Sequence, residues 1–234
     1  MSIEARPIEI RTRDGIMPAQ LWHPAAGSGP GVVVFQEIFG VTDYIRRRCA
    51  DLAELGYVVC APQLYWRLGG VEIPDGPDAL EQAVAAVGRL DWPAAVADGV
   101  ATLEHVRGLI EVTGPVGLLG FCFGGGLAFE VAAEDRPDAL VCYYGSALPQ
   151  LLHRAGEVDA PSLYHFGLAD TYLPPETVAE IRTAVTGPRT QFETYPGAGH
   201  AFDNPNPIFH HPQAAVIAWG TTTRFLAETL RAGD

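Results

Sequence analysis

The stretch that decides the fold runs from Pro115 to Gly126 and reads Pro-Val-Gly-Leu-Leu-Gly-Phe-Cys-Phe-Gly-Gly-Gly. Pro115 to Leu119 reads as a short apolar strand, and the glycines after it predict a sharp turn into a helix from about Phe123 to Ala133. At that turn stands Gly120-Phe121-Cys122-Phe123-Gly124, the G-x-nucleophile-x-G pattern of a nucleophile elbow, with a thiol where a hydroxyl is commoner. Such an elbow folds back so tightly that side chains two before and two after the nucleophile would collide, and glycine at both places removes the collision. A helix opening directly behind the sulfur aims its N–H groups and positive dipole end at it, which favours thiolate over thiol. Glycine-rich turns before helices also serve packing or phosphate binding. The run does not fit the dinucleotide pattern G-x-G-x-x-G, because position 122 is cysteine.

Outward from this stretch, short β-type runs alternate with helical patterns, the signature of parallel strands joined by helical crossovers. An opening pair, Ile8–Thr12 and Pro18–His23, reads as antiparallel around an Asp14-Gly15 turn. Buried strands are predicted at Gly31–Phe35 and Tyr57–Ala61, with a helix over Asp43–Leu55 between them that ends on Gly56. Leu64–Gly76 reads as loop, followed by helices over Pro77–Leu90 and Pro93–Leu109. Strands are predicted at Ala139–Tyr144, Ser162–Phe166 and Gln191–Tyr195, and helices at Pro175–Val185 and Pro212–Leu230, with proline suited to each helix start. No repeat or linker interrupts residues 1–234, which read as one domain.

Composition narrows the function. The formal charge of −13 over 234 residues works against nucleic-acid or anionic-membrane partners. All 15 basic residues are arginine, so Schiff-base chemistry and a Walker-type phosphate loop are excluded. The 4 cysteines lack C-x-x-C spacing and read as free thiols, Cys60 and Cys142 being inert packing residues within apolar strands. The N-terminus has no apolar signal region, and the uncharged run Val112–Phe129 contains six glycines and Pro115, which argues against a membrane span. A cytoplasmic protein, monomeric or a small homo-oligomer, is the expectation. His210-His211 has no third ligand at suitable spacing, so no metal site is expected.

A nucleophile needs a base, and the base needs a partner that fixes its tautomer; in this architecture the acid and then the histidine follow the elbow along the chain. Asp170 lies just after the strand Ser162–Phe166, and His200, in Gly197-Ala198-Gly199-His200, follows the strand Gln191–Tyr195. All three candidates sit beyond carboxyl ends of strands, where open α/β sheets gather their catalytic groups. Gln36-Glu37-Ile38-Phe39-Gly40 stands at the end of the first buried strand, where the loop supplies one N–H of an oxyanion hole, the other coming from the residue after the nucleophile. Those are the N–H groups of Ile38 and Phe123. Glu37 would raise the cost of thiolate, which fits either a capping or salt-bridged residue or one that keeps Cys122 neutral until substrate arrives.

Together, Gln36–Gly40, Gly120–Gly125, Tyr143-Tyr144-Gly145, the Asp170 loop and Gly199-His200-Ala201-Phe202 resemble the dienelactone hydrolase family, cysteine-dependent members of the α/β-hydrolase fold. The resemblance spans nearly the whole chain. It implies a mostly parallel, doubly wound sheet flanked by helices, a Cys122–His200–Asp170 triad, and Glu37 as a switch that contacts the resting thiol and moves when substrate binds. It also implies hydrolysis of an enol-lactone ring through an acyl-thiol intermediate, without a cofactor, with Phe39, Tyr144 and Tyr172 at pocket positions. Characteristic members place two arginines at the substrate carboxylate, one on the helix before the elbow and one four residues after the histidine. Here Asp78–Ala83 contains no arginine and the later position is Asn204, so the bidentate clamp is missing. Arg67 and Arg89 lie in neighbouring segments but read as surface or salt-bridged residues, and Asp203 is expected to make that rim acidic. A small neutral lactone or ester therefore fits at least as well as dienelactone. The alternatives are a carboxylesterase or thioesterase on neutral substrates and, outside the enzymes, a ligand-binding or redox-sensing protein.

Overall fold

The computed structural model describes residues 3–74 and 76–231. It falls into two compact units, the first running to Val116 and the second starting at Gly117. In the first, β1 (Arg6–Arg11) and β2 (Ile16–Trp22) form the antiparallel hairpin with Ile10 opposite Met17. Thr12 N–H donates to the Gly15 carbonyl across the turn. β3 (Gly29–Phe35) and β4 (Val58–Pro62) run parallel, and β4 also pairs antiparallel with β2. The order is β1-β2-β4-β3 and then β5 (Val112–Phe121), a strand that starts in the first unit and ends in the second.

Between β3 and β4 runs α1 (Asp43–Glu54), which stops where Gly56 takes φ +95°, a left-handed conformation that glycine adopts without strain. α2 (Ala79–Val87) is short. α3 (Trp92–Arg107) starts on Asp91, whose carboxylate accepts the Ala94 N–H at 2.9 Å, with Pro93 in its first turn. The segment expected as loop from Leu64 contains a 3-10 helix, Leu64–Leu68. Its cause is tertiary: Trp66 and Arg67 both reach Asp98, more than thirty residues away on α3.

The second unit orders its strands β5, β6 (Ala139–Tyr143), β7 (Ser162–Gly167) and β8 (Thr190–Tyr195), all parallel, with Leu119 opposite Val141 and Val141 opposite Leu163. Every residue of β6 and β7 is buried, which accounts for the uninterrupted apolar run of β6 and the mostly apolar run of β7, whose Ser162 and His165 are buried polar residues. β8, at the edge of the order, alternates between half-buried and exposed side chains up to the buried Tyr195. α4 (Phe123–Glu134) follows β5 directly. After β6 come a helical turn, α5 (Leu148–Leu151), and a 3-10 helix over Leu152–Glu157. Neither is evident in the sequence; Arg154 holds them through Glu130, Glu134 and Glu157. α6 (Pro175–Val185) and α7 (Pro212–Leu230) start on their prolines, and His211 caps α7 by accepting the Ala214 N–H at 3.2 Å. His211 is thus the N-cap of α7 and His210 lies in the loop before it.

Cys49, Cys60 and Cys142 are fully buried free thiols. Burial pushes all three up, Cys60 to about 12, so they remain protonated packing groups. Among the described residues no helix is long and apolar enough to cross a membrane.

Candidate active site

β5 delivers the chain to Cys122, which takes φ 54° and ψ −115°, before α4 begins at Phe123. A non-glycine residue there costs on the order of 1–3 kcal/mol and persists only where its surroundings over-determine it. They do: the Cys122 N–H donates to the Tyr143 carbonyl at 3.0 Å, and the Cys122 carbonyl accepts from Gly125, Gly126 and Ser146. A Cβ on Gly120 would lie 1.9 Å from the Gly124 carbonyl oxygen, so glycine at 120 is compulsory. The other described non-glycine residues with positive φ are Tyr144 and Ala201, and they too flank the triad.

The second unit brings the three predicted residues into one relay. His200 Nε2 lies 3.1 Å from Cys122 Sγ and Nδ1 lies 2.7 Å from Asp170 Oδ2. Asp170 Oδ1 accepts the N–H groups of Tyr172 at 2.8 Å and Leu173 at 3.2 Å, which fixes the carboxylate before it meets the imidazole. The loops bearing Asp170 and His200 are laced together, Leu168 N–H to the Tyr195 carbonyl and Ala169 N–H to the Ala198 carbonyl at 2.8 Å. Gly167 permits that approach, because a Cβ there would meet the Ala198 oxygen at 2.3 Å. Burial disfavours the His200 imidazolium, but the Asp170 and Cys122 hydrogen bonds and charges outweigh it and hold its pKa up at about 10. Cys122 itself is 8% exposed.

The other expected site residues are placed as follows. Phe123 opens α4, so its N–H belongs to the first turn, whose N–H groups project from the helix end. Tyr172 is exposed and its ring stands edge-on to His200 at 5.2 Å. Tyr144, expected at a pocket position, is wholly buried and packs between His200 and Phe202, with φ 37°. In the first unit, Glu37 is 1% exposed in the loop after β3, and Ile38 is half-buried. Phe39 lines a cavity of about 280 Å³ together with Gln36, Arg46, Tyr65, Trp66 and Glu72.

One further expectation changes. Asp203 is 1% exposed, so it does not make a rim acidic; its charge lies close enough to Tyr195 to help raise that phenol. Arg67 is, as expected, a salt-bridged residue, bound to Asp98 by two bonds of 2.7 Å and to Asp14 at 3.0 Å, and Arg89 is on the surface. Neither arginine lines the cavity. Ser146, which the sequence did not single out, has its hydroxyl 3.8 Å from Cys122 Sγ. The signal that could have found it is Gly145, whose Cβ would strike Leu148 at 2.8 Å and marks a turn pressed against α4.

The profile of the dienelactone hydrolase family matches residues 17–230. The chain is 35% identical over 228 residues to carboxymethylenebutenolidase of Pseudomonas putida, covering 94% of this chain and 95% of that protein. It is 36% identical over 222 residues to the enzyme of the same name from Pseudomonas sp. strain P51, covering 91% and 90%. A solved structure from Klebsiella pneumoniae subsp. pneumoniae, provisionally named a dienelactone hydrolase, superposes with a TM-score of 0.83 at 28% identity, over 97% of this chain and 99% of that one. With that agreement in sequence and in backbone, this chain has the α/β-hydrolase fold and belongs to the dienelactone hydrolase family of hydrolases.

Proposed function

We propose that this chain hydrolyses a small lactone or ester through an acyl-thiol intermediate on Cys122, a reaction of the carboxymethylenebutenolidase type for which its relatives are named. The observation that carries this reading is the unbroken relay from Sγ through the imidazole to a carboxylate, at 3.1 and 2.7 Å. With the proton held on His200, whose pKa stands at about 10, the sulfur attacks the carbonyl carbon as a thiolate, and the oxyanion is met by the N–H groups of Phe123 and Ile38. The ester C–O bond then breaks and His200 protonates the leaving oxygen, which stays tethered when the substrate is a lactone. A water, deprotonated by His200, attacks the thioester; the C–S bond breaks and the sulfur recovers its proton. Part of what keeps the proton on His200 comes from the sulfur itself. Acylation of the sulfur removes that part, so the imidazolium becomes a better acid just when the leaving oxygen needs a proton. Glu37 serves as the switch that biases the resting pair toward neutral thiol until substrate arrives.

Neutral substrates are favoured over carboxylate-bearing ones. No arginine occupies Asp78–Ala83 or position 204, and Arg67 is already committed to Asp98 and Asp14. A panel of lactones and esters, each with and without a free carboxylate, tests both parts against the wild type and Cys122→Ala. The expected result is higher kcat/KM for the neutral members and loss of turnover in the variant, with an unchanged circular dichroism spectrum. Near-wild-type hydrolysis by Cys122→Ala would overturn the mechanism; a clear preference for carboxylates would overturn the substrate class alone.

A further inference from the structure

The loop that follows β3 is held by its carbonyls. The Glu37 carbonyl oxygen accepts from the Gly40 N–H at 3.2 Å and from the Gln36 side-chain amide at 3.4 Å. A trans peptide is planar, with its N–H pointing opposite its C=O, so fixing the Glu37 carbonyl also fixes the direction of the Ile38 N–H. The next carbonyl, that of Ile38, accepts from the Tyr65 hydroxyl. Two consecutive peptides are therefore pinned, one by neighbours in sequence and one by a residue 27 positions away.

Tyr65 is itself anchored. It is 4% exposed and sits in the 3-10 helix Leu64–Leu68. The two residues after it both end on Asp98, a carboxylate that is 1% exposed on α3. The Trp66 indole N–H reaches Oδ2 at 2.8 Å, and the Arg67 guanidinium grips both oxygens at 2.7 Å. Arg67 extends the hold to Asp14 in the β1–β2 turn at 3.0 Å. Such a two-pronged grip on a buried carboxylate has a strong geometric preference, so it limits how far the 3-10 helix can shift or rotate. The hydroxyl of Tyr65 is committed to a backbone carbonyl and its ring is a wall of the cavity.

We propose that Tyr65, anchored through Asp98, is a positioning residue that keeps the Ile38 N–H aimed for oxyanion stabilisation. This rests on the reading of Ile38 as a hole donor. Tyr65 transfers no proton and touches no reacting atom; by holding the Ile38 carbonyl it fixes the peptide after the donor and so limits rotation of the Ile38 backbone, whose N–H the Glu37 carbonyl contacts aim. A misdirected donor loses part of the roughly 10²–10³ in kcat that a well-aimed one supplies, without weakening ground-state binding to the same degree.

The test is Tyr65→Phe, which keeps the ring and removes the hydroxyl, assayed with p-nitrophenyl acetate and with iodoacetamide as a probe of Cys122. The expected result is a fall in kcat of about tenfold, KM within twofold, and an unchanged rate of Cys122 alkylation. Asp98→Asn, with thermal unfolding measured alongside, should lower kcat in the same direction. An unchanged kcat in Tyr65→Phe would overturn the proposal, as would a rise in KM alone or a joint loss of turnover and alkylation. Ile38→Pro, which deletes the N–H, separates the underlying reading: wild-type kcat in that variant removes Ile38 from the hole, whereas failure of Tyr65→Phe alone removes only the positioning role.

Discussion

Replacing Gly167 by alanine perturbs the triad without touching any of its members. A Cβ at 167 would lie 2.3 Å from the Ala198 carbonyl oxygen and 2.7 Å from that of Gly199, where ordinary contact begins at 3.4 Å. The obstruction is backbone on both counts, so it cannot be relieved by a rotamer change, and the segment leading to His200 must retreat by about 1 Å. That retreat acts on the residue two positions later, and it stretches both the 3.1 Å approach of Nε2 to the sulfur and the 2.7 Å bond of Nδ1 to Asp170. A misplacement of about 1 Å in a catalytic group can cost on the order of 10²-fold. The variant should therefore lose about a hundredfold in kcat for a chromogenic ester while remaining folded, with a lower Tm from the strain at the loop. Gly156→Ala is the control, because nothing lies within 4 Å of its added Cβ; it should keep wild-type kcat. Wild-type kcat in Gly167→Ala would refute the argument that this glycine is what lets the two catalytic loops meet.

Two other predictions concern the charges of the site. The raised pKa of His200, about 10, predicts that its imidazolium persists above pH 8 when followed by the C2 proton resonance. Asp170→Asn should bring that midpoint down by more than one pH unit; a wild-type midpoint at or below the ordinary 6.5 would contradict it. Because the folded value is raised, the stability this pair contributes is complete below about pH 6.5 and is lost as pH rises through about 10. Glu37→Gln tests the proposed switch: the thiolate absorbance near 240 nm should increase at a given pH, and an unchanged titration would remove the switch and leave the triad intact.

What could be read in the sequence follows from how local its cause is. β6 is buried on both faces, so five apolar residues in a row identify it without knowledge of its neighbours. α6 and α7 begin where proline permits a first helical turn and forbids an interior one. The elbow was legible because Gly120 is compulsory there, and the order of thiol, acid and histidine constrained the search for its partners. The 3-10 helix at Leu64–Leu68 was not legible, since it depends on Asp98 more than thirty residues away. Nor was the burial of Tyr144 and Asp203, which residue type alone does not dictate. Ser146 has no motif of its own and becomes visible only where the turn after β6 presses on the glycines of α4.

The central claim is that Cys122 becomes acylated. Intact-mass spectrometry of enzyme acid-quenched during turnover of a slow p-nitrophenyl ester addresses it most directly, followed by peptide mapping. The account predicts a mass gain of one acyl group on the peptide bearing Cys122, sensitive to hydroxylamine and absent from Cys122→Ala. Steady hydrolysis with the acyl group on another residue, or with full turnover retained in Cys122→Ala, would contradict it.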